Sequence, residues 1–107
     1  MPKGDVVRLL PPPRPDHEQQ GPRFGVIRQS DVLTPLSTVI VAPTSLSALP
    51  ASFRPQVTIE SQPTRVLIEQ MVAVDVRRTS EAIGPRISVE EMWAVDEALS
   101  LVVGLHF

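Results

Sequence analysis

Ser37-Thr38-Val39-Ile40-Val41-Ala42-Pro43-Thr44-Ser45 is the stretch whose reading decides the architecture. Its centre is an unbroken run of small and β-branched apolar residues. Such a run, without polar alternation, is expected of a strand buried on both faces. It is far too short to cross a membrane, which takes about 20 apolar residues in a helix. Pro43 has no amide proton for a sheet ladder, so the strand is expected to run from Ser37 to Pro43 and stop there.

Working outward, the neighbours are also short strands. Phe24 to Gln29 and Asp5 to Leu10 precede it. The latter is bounded by Gly4 and by Pro11-Pro12-Pro13. Between them, residues 11–22 hold five of the 12 prolines and Gly21. That composition predicts an exposed, semi-rigid loop, either a plain linker or a gate over a groove. Downstream, the polar, proline-punctuated stretch from Ser45 to Pro55 reads as a loop. Gln56 to Glu60 alternates, with Val57 and Ile59 on one face and Thr58 and Glu60 on the other. Gln62-Pro63 is expected to turn the chain. Arg65 to Val74 reads as one further strand, with Val66 and Ile68 on one face and Leu67 on the other. Ala82-Ile83, closed by Gly84-Pro85, reads as a short strand.

The last element is a helix. Ser88 and Glu91 form an S-x-x-E capping box, and Met92, Val95, Leu99 and Val102 follow in a helical stripe. Gly104 stands as its stop, and the acids of the first turn suit the positive end of the helix dipole. The fold class is therefore mainly β with a C-terminal helix, five or six short strands forming a small barrel or sandwich.

Composition narrows the function. A chain of 107 residues suits one domain, residues 1–107, with a core small enough that self-association would help it. Hydrophobic residues make 42% and charged ones 21%, ordinary for a globular protein. There are no cysteines, which excludes disulfides, zinc–thiolate sites and thiol catalysis and fits a reducing cytoplasm. Neither a secretion signal nor a membrane span is legible, so the protein reads as soluble and cytoplasmic. The net charge of -2 argues against a general nucleic-acid coat. It is unevenly spread, however. Glu90, Glu91, Asp96 and Glu97 lie in the C-terminal segment, so residues 1–87 hold 10 basic and 8 acidic groups, a net of +2. All but one of the basic residues are arginine, which suits bidentate contacts to phosphate; a codon bias toward arginine explains the count equally well.

No zinc-protease, nucleophile-elbow, Walker or dinucleotide motif is present. His17 and His106 are far apart, and histidine with carboxylate offers too few ligands at useful spacing for a metal. What remains is arginine, carboxylate and hydroxyl chemistry. RNA carries its own nucleophile, the 2′-hydroxyl, so cutting it requires orientation, stabilisation of phosphorane charge and proton movement, and no covalent residue. Arg23, at the junction of the polar loop His17-Glu18-Gln19-Gln20-Gly21-Pro22 with a strand, is the best such arginine, although a plain strand-edge arginine reads as well. Thr44 and Ser45, following the buried strand, offer hydroxyls, although turn chemistry alone accounts for them.

These pieces, taken in order, resemble the MazF/PemK family, the toxin half of bacterial toxin–antitoxin pairs. Lys3-Gly4-Asp5-Val6 looks like that family's opening strand, and Glu18-Gln19 with a glycine and Arg23 like its E-Q-x-G-x-R segment. Val39 to Pro43 resembles its third strand, Glu69-Gln70-Met71 a later E-Q motif, and Ile83-Gly84 and Val95-Asp96-Glu97-Ala98-Leu99 its end. The resemblance implies an SH3-like barrel with a C-terminal helix, shared by MazF and CcdB toxins. It also implies a homodimer that cuts single-stranded RNA at short sequences without metal or other cofactor, leaving 2′,3′-cyclic phosphate (or 3′-phosphate) and 5′-hydroxyl ends. Arg23 then takes the catalytic arginine's position and Ser45 or Thr44 that of the catalytic hydroxyl. Glu18 stands as base or orienter, and Gln19, Gln20, Phe24 and Gln70 as RNA contacts, Phe24 by stacking. An acidic, partly disordered antitoxin segment is the implied protein partner. Two alternatives share the fold: a CcdB-like gyrase poison that works by binding alone, and an inactive interaction module.

Overall fold

The computed structural model describes residues 3–10, 23–27 and 37–104, with Arg23 described through its backbone. Six strands follow in order: β1 (Val6–Leu9), β2 (Arg23–Ile27), β3 (Thr38–Ser45), β4 (Gln56–Ile59), β5 (Gln62–Val66) and β6 (Val72–Asp75). The helix α1 (Val89–Val102) closes the chain's described part. All pairings are antiparallel, in the order β1-β2-β3-β5-β4, with β6 also on β3. The result is a curled half-barrel.

β3 is the hinge of the curl. One edge pairs with β2 from Val41 to Pro43. The other edge is shared: Thr38 to Val41 face β6, and Thr44 and Ser45 face β5. The expectation that Pro43 ends this strand is corrected here, because the strand continues to Ser45. The Pro43 carbonyl accepts from the Leu67 amide at 2.8 Å. In an antiparallel strand a residue's N–H and C=O point to the same side. The missing N–H therefore faces Leu67, whose carbonyl accepts instead from the Gln70 amide at 2.9 Å, so no acceptor is left unpaired.

The apolar run of β3 is buried on both faces, as its composition requires. Ala42 joins Val6, Val26, Val57, Ile59, Val66, Ile68, Ile87, Val95 and Ala98 in the cluster between sheet and helix. Val39 and Val41 join Val7 and Ile27 on the opposite face. β4 keeps the expected alternation, with Val57 and Ile59 buried and Thr58 exposed.

Three sequence expectations change in the next segment. The hairpin turn falls at Glu60-Ser61, whose φ values are 52° and 67°, not at Gln62-Pro63. Positive φ at both central residues is the primed geometry that matches strand twist, usually signalled by Asn-Gly or Asp-Gly. Here that signal is absent, and Pro63 sits inside β5 opposite Thr58. The Thr58 amide points away from β5 to the Glu91 carboxylate at 2.8 Å. Their pair is therefore a non-hydrogen-bonded one, and proline costs it nothing. The single strand expected over Arg65 to Val74 is broken by a 3₁₀ turn, Ile68–Gln70, so Val66, Leu67 and Ile68 are all buried. No strand forms at Ala82-Ile83 among the described residues. Instead residues 78–87 run beside β1, where the amides of Ser80, Ile83 and Ile87 donate to the carbonyls of Arg8, Val6 and Gly4. That covers an edge otherwise open to pairing.

The helix begins as expected. Ser88 Oγ accepts from the Glu91 amide at 3.0 Å and Glu91 Oε1 from the Ser88 amide at 2.9 Å. Val95 and Ala98 are buried, Met92 and Leu99 pack at the margin, and Val102 lies exposed at the far end of the stripe. Gly104 follows with φ +74°. At the other end of the chain, Gly4 adopts φ +93°, and a Cβ there would meet Arg86 Cγ at 3.0 Å. Arg86 in turn reaches the nearly buried Asp5 carboxylate at 3.3 Å, so the Gly4-Asp5 pair seats the start of β1 against the segment that enters the helix. No helix among the described residues is long and apolar enough to cross a membrane.

Candidate active site: a groove at the end of strand β3

Where β3 passes from β6 to β5, the sheet bends and leaves a groove of about 290 Å³. Phe24 comes from β2, and Thr44, Ser45 and Leu46 from the end of β3. Ile59, Glu60, Gln62 and Thr64 come from the β4–β5 hairpin. The groove is mixed in character: an aromatic ring, a leucine lip 69% exposed, three hydroxyls, one amide and one carboxylate.

The two adjacent hydroxyls of β3 are not equivalent. Thr44 is buried, and its Oγ1 donates to the Phe24 carbonyl at 3.0 Å. Its proton is committed to holding β2 against β3. Ser45 is half-buried; its Oγ accepts from the Ser47 amide at 3.2 Å and lies 3.5 Å from Ser47 Oγ. That contact fixes the turn after the strand and leaves a hydroxyl proton able to reach a ligand. Thr64, the third hydroxyl, donates to the Gln62 carbonyl at 3.2 Å. The sequence left Thr44 and Ser45 open as alternatives; the geometry supports Ser45 as the donor to a ligand and Thr44 as its support.

Phe24 packs on the core and lines the groove, with the Arg8 guanidinium 5.7 Å from its ring centroid across the β1–β2 pair. Gly25, next in β2, fits where a Cβ would meet Leu9 at 3.2 Å. Arg23 opens β2 one residue before Phe24, its backbone opposite Leu9. Glu18, Gln19 and Gln20 lie outside the described residues. Gln70 ends the 3₁₀ turn, is exposed, and does not line the groove. Its neighbour Glu69 is held by Arg54 at 2.9 and 3.0 Å. The structure thus brings together Phe24, Thr44 and Ser45 and adds residues sequence reasoning missed: Leu46, Glu60, Gln62 and Thr64. The hairpin contributors were hidden because no Asn-Gly or Asp-Gly marked the turn that aims them.

The chain thus folds as a curled antiparallel sheet on one helix, with a polar groove at the end of its central strand. Residues 2–103 match the family described as PemK-like, MazF-like toxin of type II toxin-antitoxin system, and the chain belongs to it. It is similar to the toxin homologue Rv3098A of Mycobacterium tuberculosis strain H37Rv, 33% identical over 89 residues, 83% of each chain. Its fold matches that of an endoribonuclease solved in complex with its cognate antitoxin from a mycobacterial species. The TM-score is 0.82 at 13% identity, covering 100% of this chain and 98% of that one. It also matches MazF from Deinococcus radiodurans (TM-score 0.77, 18% identity, 97% and 96% covered). A third match is the Mycobacterium tuberculosis toxin MazF-mt6 (TM-score 0.74, 18% identity, 94% and 98% covered).

Proposed function

We propose that this toxin acts as a sequence-specific endoribonuclease on single-stranded RNA, without a metal ion. The observation that carries the reading is the meeting of the Ser45 hydroxyl and the Phe24 ring in one groove, one residue along β2 from the backbone of Arg23. The 2′-oxygen attacks phosphorus and loses its proton to a base, and the bond to the 5′-oxygen breaks. That oxygen takes up a proton, leaving a 2′,3′-cyclic phosphate, which can open to a 3′-phosphate, and a 5′-hydroxyl. Arg23, protonated at all ordinary pH values, stabilises charge on the phosphorane oxygens. Ser45 donates to the same oxygens, Thr44 braces the strand, and Glu18 serves as base or orients Arg23. Phe24 stacks on a base, and Gln19, Gln20 and Gln70 contact RNA beyond the groove. DNA is spared because it lacks the 2′-hydroxyl.

In this reading the protein works as a homodimer in the cytoplasm. An acidic antitoxin segment inhibits it by occupying the phosphate sites. The test is cleavage of a long unstructured RNA in excess EDTA, wild type beside Arg23→Ala. Discrete cuts with 5′-hydroxyl ends, lost in the variant, are expected. Folded protein that cuts nothing yet still arrests growth overturns the reading in favour of a toxin that acts by binding alone.

A further inference from the structure

Among the described residues, Glu60 is the one charged side chain lining the groove. A carboxylate in a groove for RNA repels the phosphates, so the backbone of a bound strand runs elsewhere, toward the Ser45 end. What a carboxylate can attract is the N–H groups of a base. The Glu60 carboxylate has no partner among the described residues, and neither has the side-chain amide of Gln62, which lines the same wall. The two residues flank Ser61 at the tip of the β4–β5 hairpin, where Glu60 and Ser61 hold φ of 52° and 67°. Non-glycine residues in that region cost energy, and such strain gathers where a side chain must be aimed. The tip is also braced from behind, because Thr58, two residues before Glu60, is tied to the helix through Glu91.

We propose that Glu60 reads a guanine. The four bases differ in what they offer a carboxylate on the Watson–Crick edge. Guanine presents two adjacent donors, N1–H and N2–H, which match both carboxylate oxygens. Adenine and cytosine pair one amino donor with a ring nitrogen acceptor, and uracil sets a single N–H between two carbonyls. An acceptor beside the donor repels the second carboxylate oxygen. The Gln62 amide supplies a donor for guanine O6, and the Phe24 ring supplies a surface in the same groove. Unpaired bases of single-stranded RNA are read through such edges and by stacking. This inference rests on the endoribonuclease reading and deepens it: the hairpin tip sets which sequence is cut.

The test uses uncleavable 2′-fluoro heptamers of uracil carrying one central guanine, adenine or cytosine, or none, each with a 5′-fluorescein. Fluorescence anisotropy gives their Kd for wild type, Glu60→Gln and Glu60→Ala, with matching thermal melts confirming that the variants fold. Wild type is expected to bind the guanine heptamer about tenfold or more tighter than the others, the size of a good bidentate base contact. Both variants are expected to lose that preference and to bind the four heptamers with Kd values alike within about twofold. The proposal is overturned by wild type with no guanine preference, by a preference that survives Glu60→Gln, or by no binding to any heptamer. Uniformly tighter binding by Glu60→Gln also overturns it, since the carboxylate is then only a repulsive charge. Guanine-selective binding without cleavage of the matching unmodified RNA sinks the nuclease reading and leaves the base pocket standing.

Discussion

Glu91 joins the helix to the sheet, and its removal has a calculable cost. One carboxylate oxygen accepts from the Ser88 amide at 2.9 Å, closing the capping box, and the other from the Thr58 amide at 2.8 Å on the outer edge of β4. Losing a helix N-cap interaction costs about 1 kcal/mol. A hydrogen bond to a charged acceptor contributes about 1.5 kcal/mol at the low end, the appropriate end here because water can replace it at this surface. Alanine's better helix propensity returns a few tenths. Glu91→Ala is therefore expected to lose about 2 kcal/mol, and about 4 °C of Tm per kcal/mol gives a fall of about 8 °C for a chain of this size. Glu91→Gln keeps one acceptor oxygen, so one of the two amides loses its partner and about half the loss is expected. Urea unfolding at matched protein concentration, which removes any contribution from self-association, reads the values. Hydrogen exchange separates the halves: in Glu91→Ala the Thr58 amide is expected to exchange faster than global unfolding explains. A loss under about 0.5 kcal/mol, or an unchanged Thr58 amide, refutes the bridge and leaves an ordinary surface glutamate.

The remaining predictions concern the groove, the core and pH. Ser45→Ala is expected to leave stability within about 0.5 kcal/mol while slowing RNA cleavage about a hundredfold, the cost of one lost oxyanion donor. Thr44→Val should instead lose about 1 kcal/mol of stability, because the Phe24 carbonyl loses its donor; urea titrations beside single-turnover cleavage distinguish the two. Replacing Glu60-Ser61 by Asn-Gly should stabilise the hairpin by about 1 kcal/mol, since those residues tolerate positive φ, a rise that thermal melts detect. Ile68→Ala, at a fully buried site under the helix, should cost about 3 kcal/mol in the same melts. Hydrogen bonds from the Arg77 guanidinium and amide, with its charge, hold the Asp75 carboxyl at about 2, below its ordinary 3.8. The folded value is depressed, so the stabilisation is present above the unfolded value and is lost as pH falls from about 4 through 2. A carboxyl NMR titration of Asp75 should show that midpoint and return toward 3.8 in Arg77→Ala.

How much could be read beforehand follows from the range of the interactions. The helix, its Ser88–Glu91 cap and its Gly104 stop were legible because capping and helical periodicity act over three or four residues. Both faces of β3 were legible because a doubly buried strand needs an unbroken apolar run. The opening Lys3-Gly4-Asp5-Val6 was legible as a motif, but its reason was not. Gly4 is required by its φ of +93°, which the chain takes where it packs against Arg86, more than eighty positions away.

Tertiary structure decided the rest. Whether Pro43 ends a strand or sits within one depends on which neighbour its missing N–H faces, and β5 and β6 settle that from about twenty to thirty residues downstream. The same holds for Pro63, whose place in β5 depends on the Thr58 amide finding its acceptor on the helix. Thr44 and Ser45 are chemically near-equal in sequence, and only the position of the Phe24 carbonyl tells their hydroxyls apart. Glu60 and Gln62 became groove residues through a turn with no local sequence signal. The terminal helix, the apolar centre of β3, the alternation of β4 and the family were written in the sequence, because capping and burial pattern act residue by residue. The groove arises where strands distant along the chain meet, so its lining was decided by the sheet's pairing.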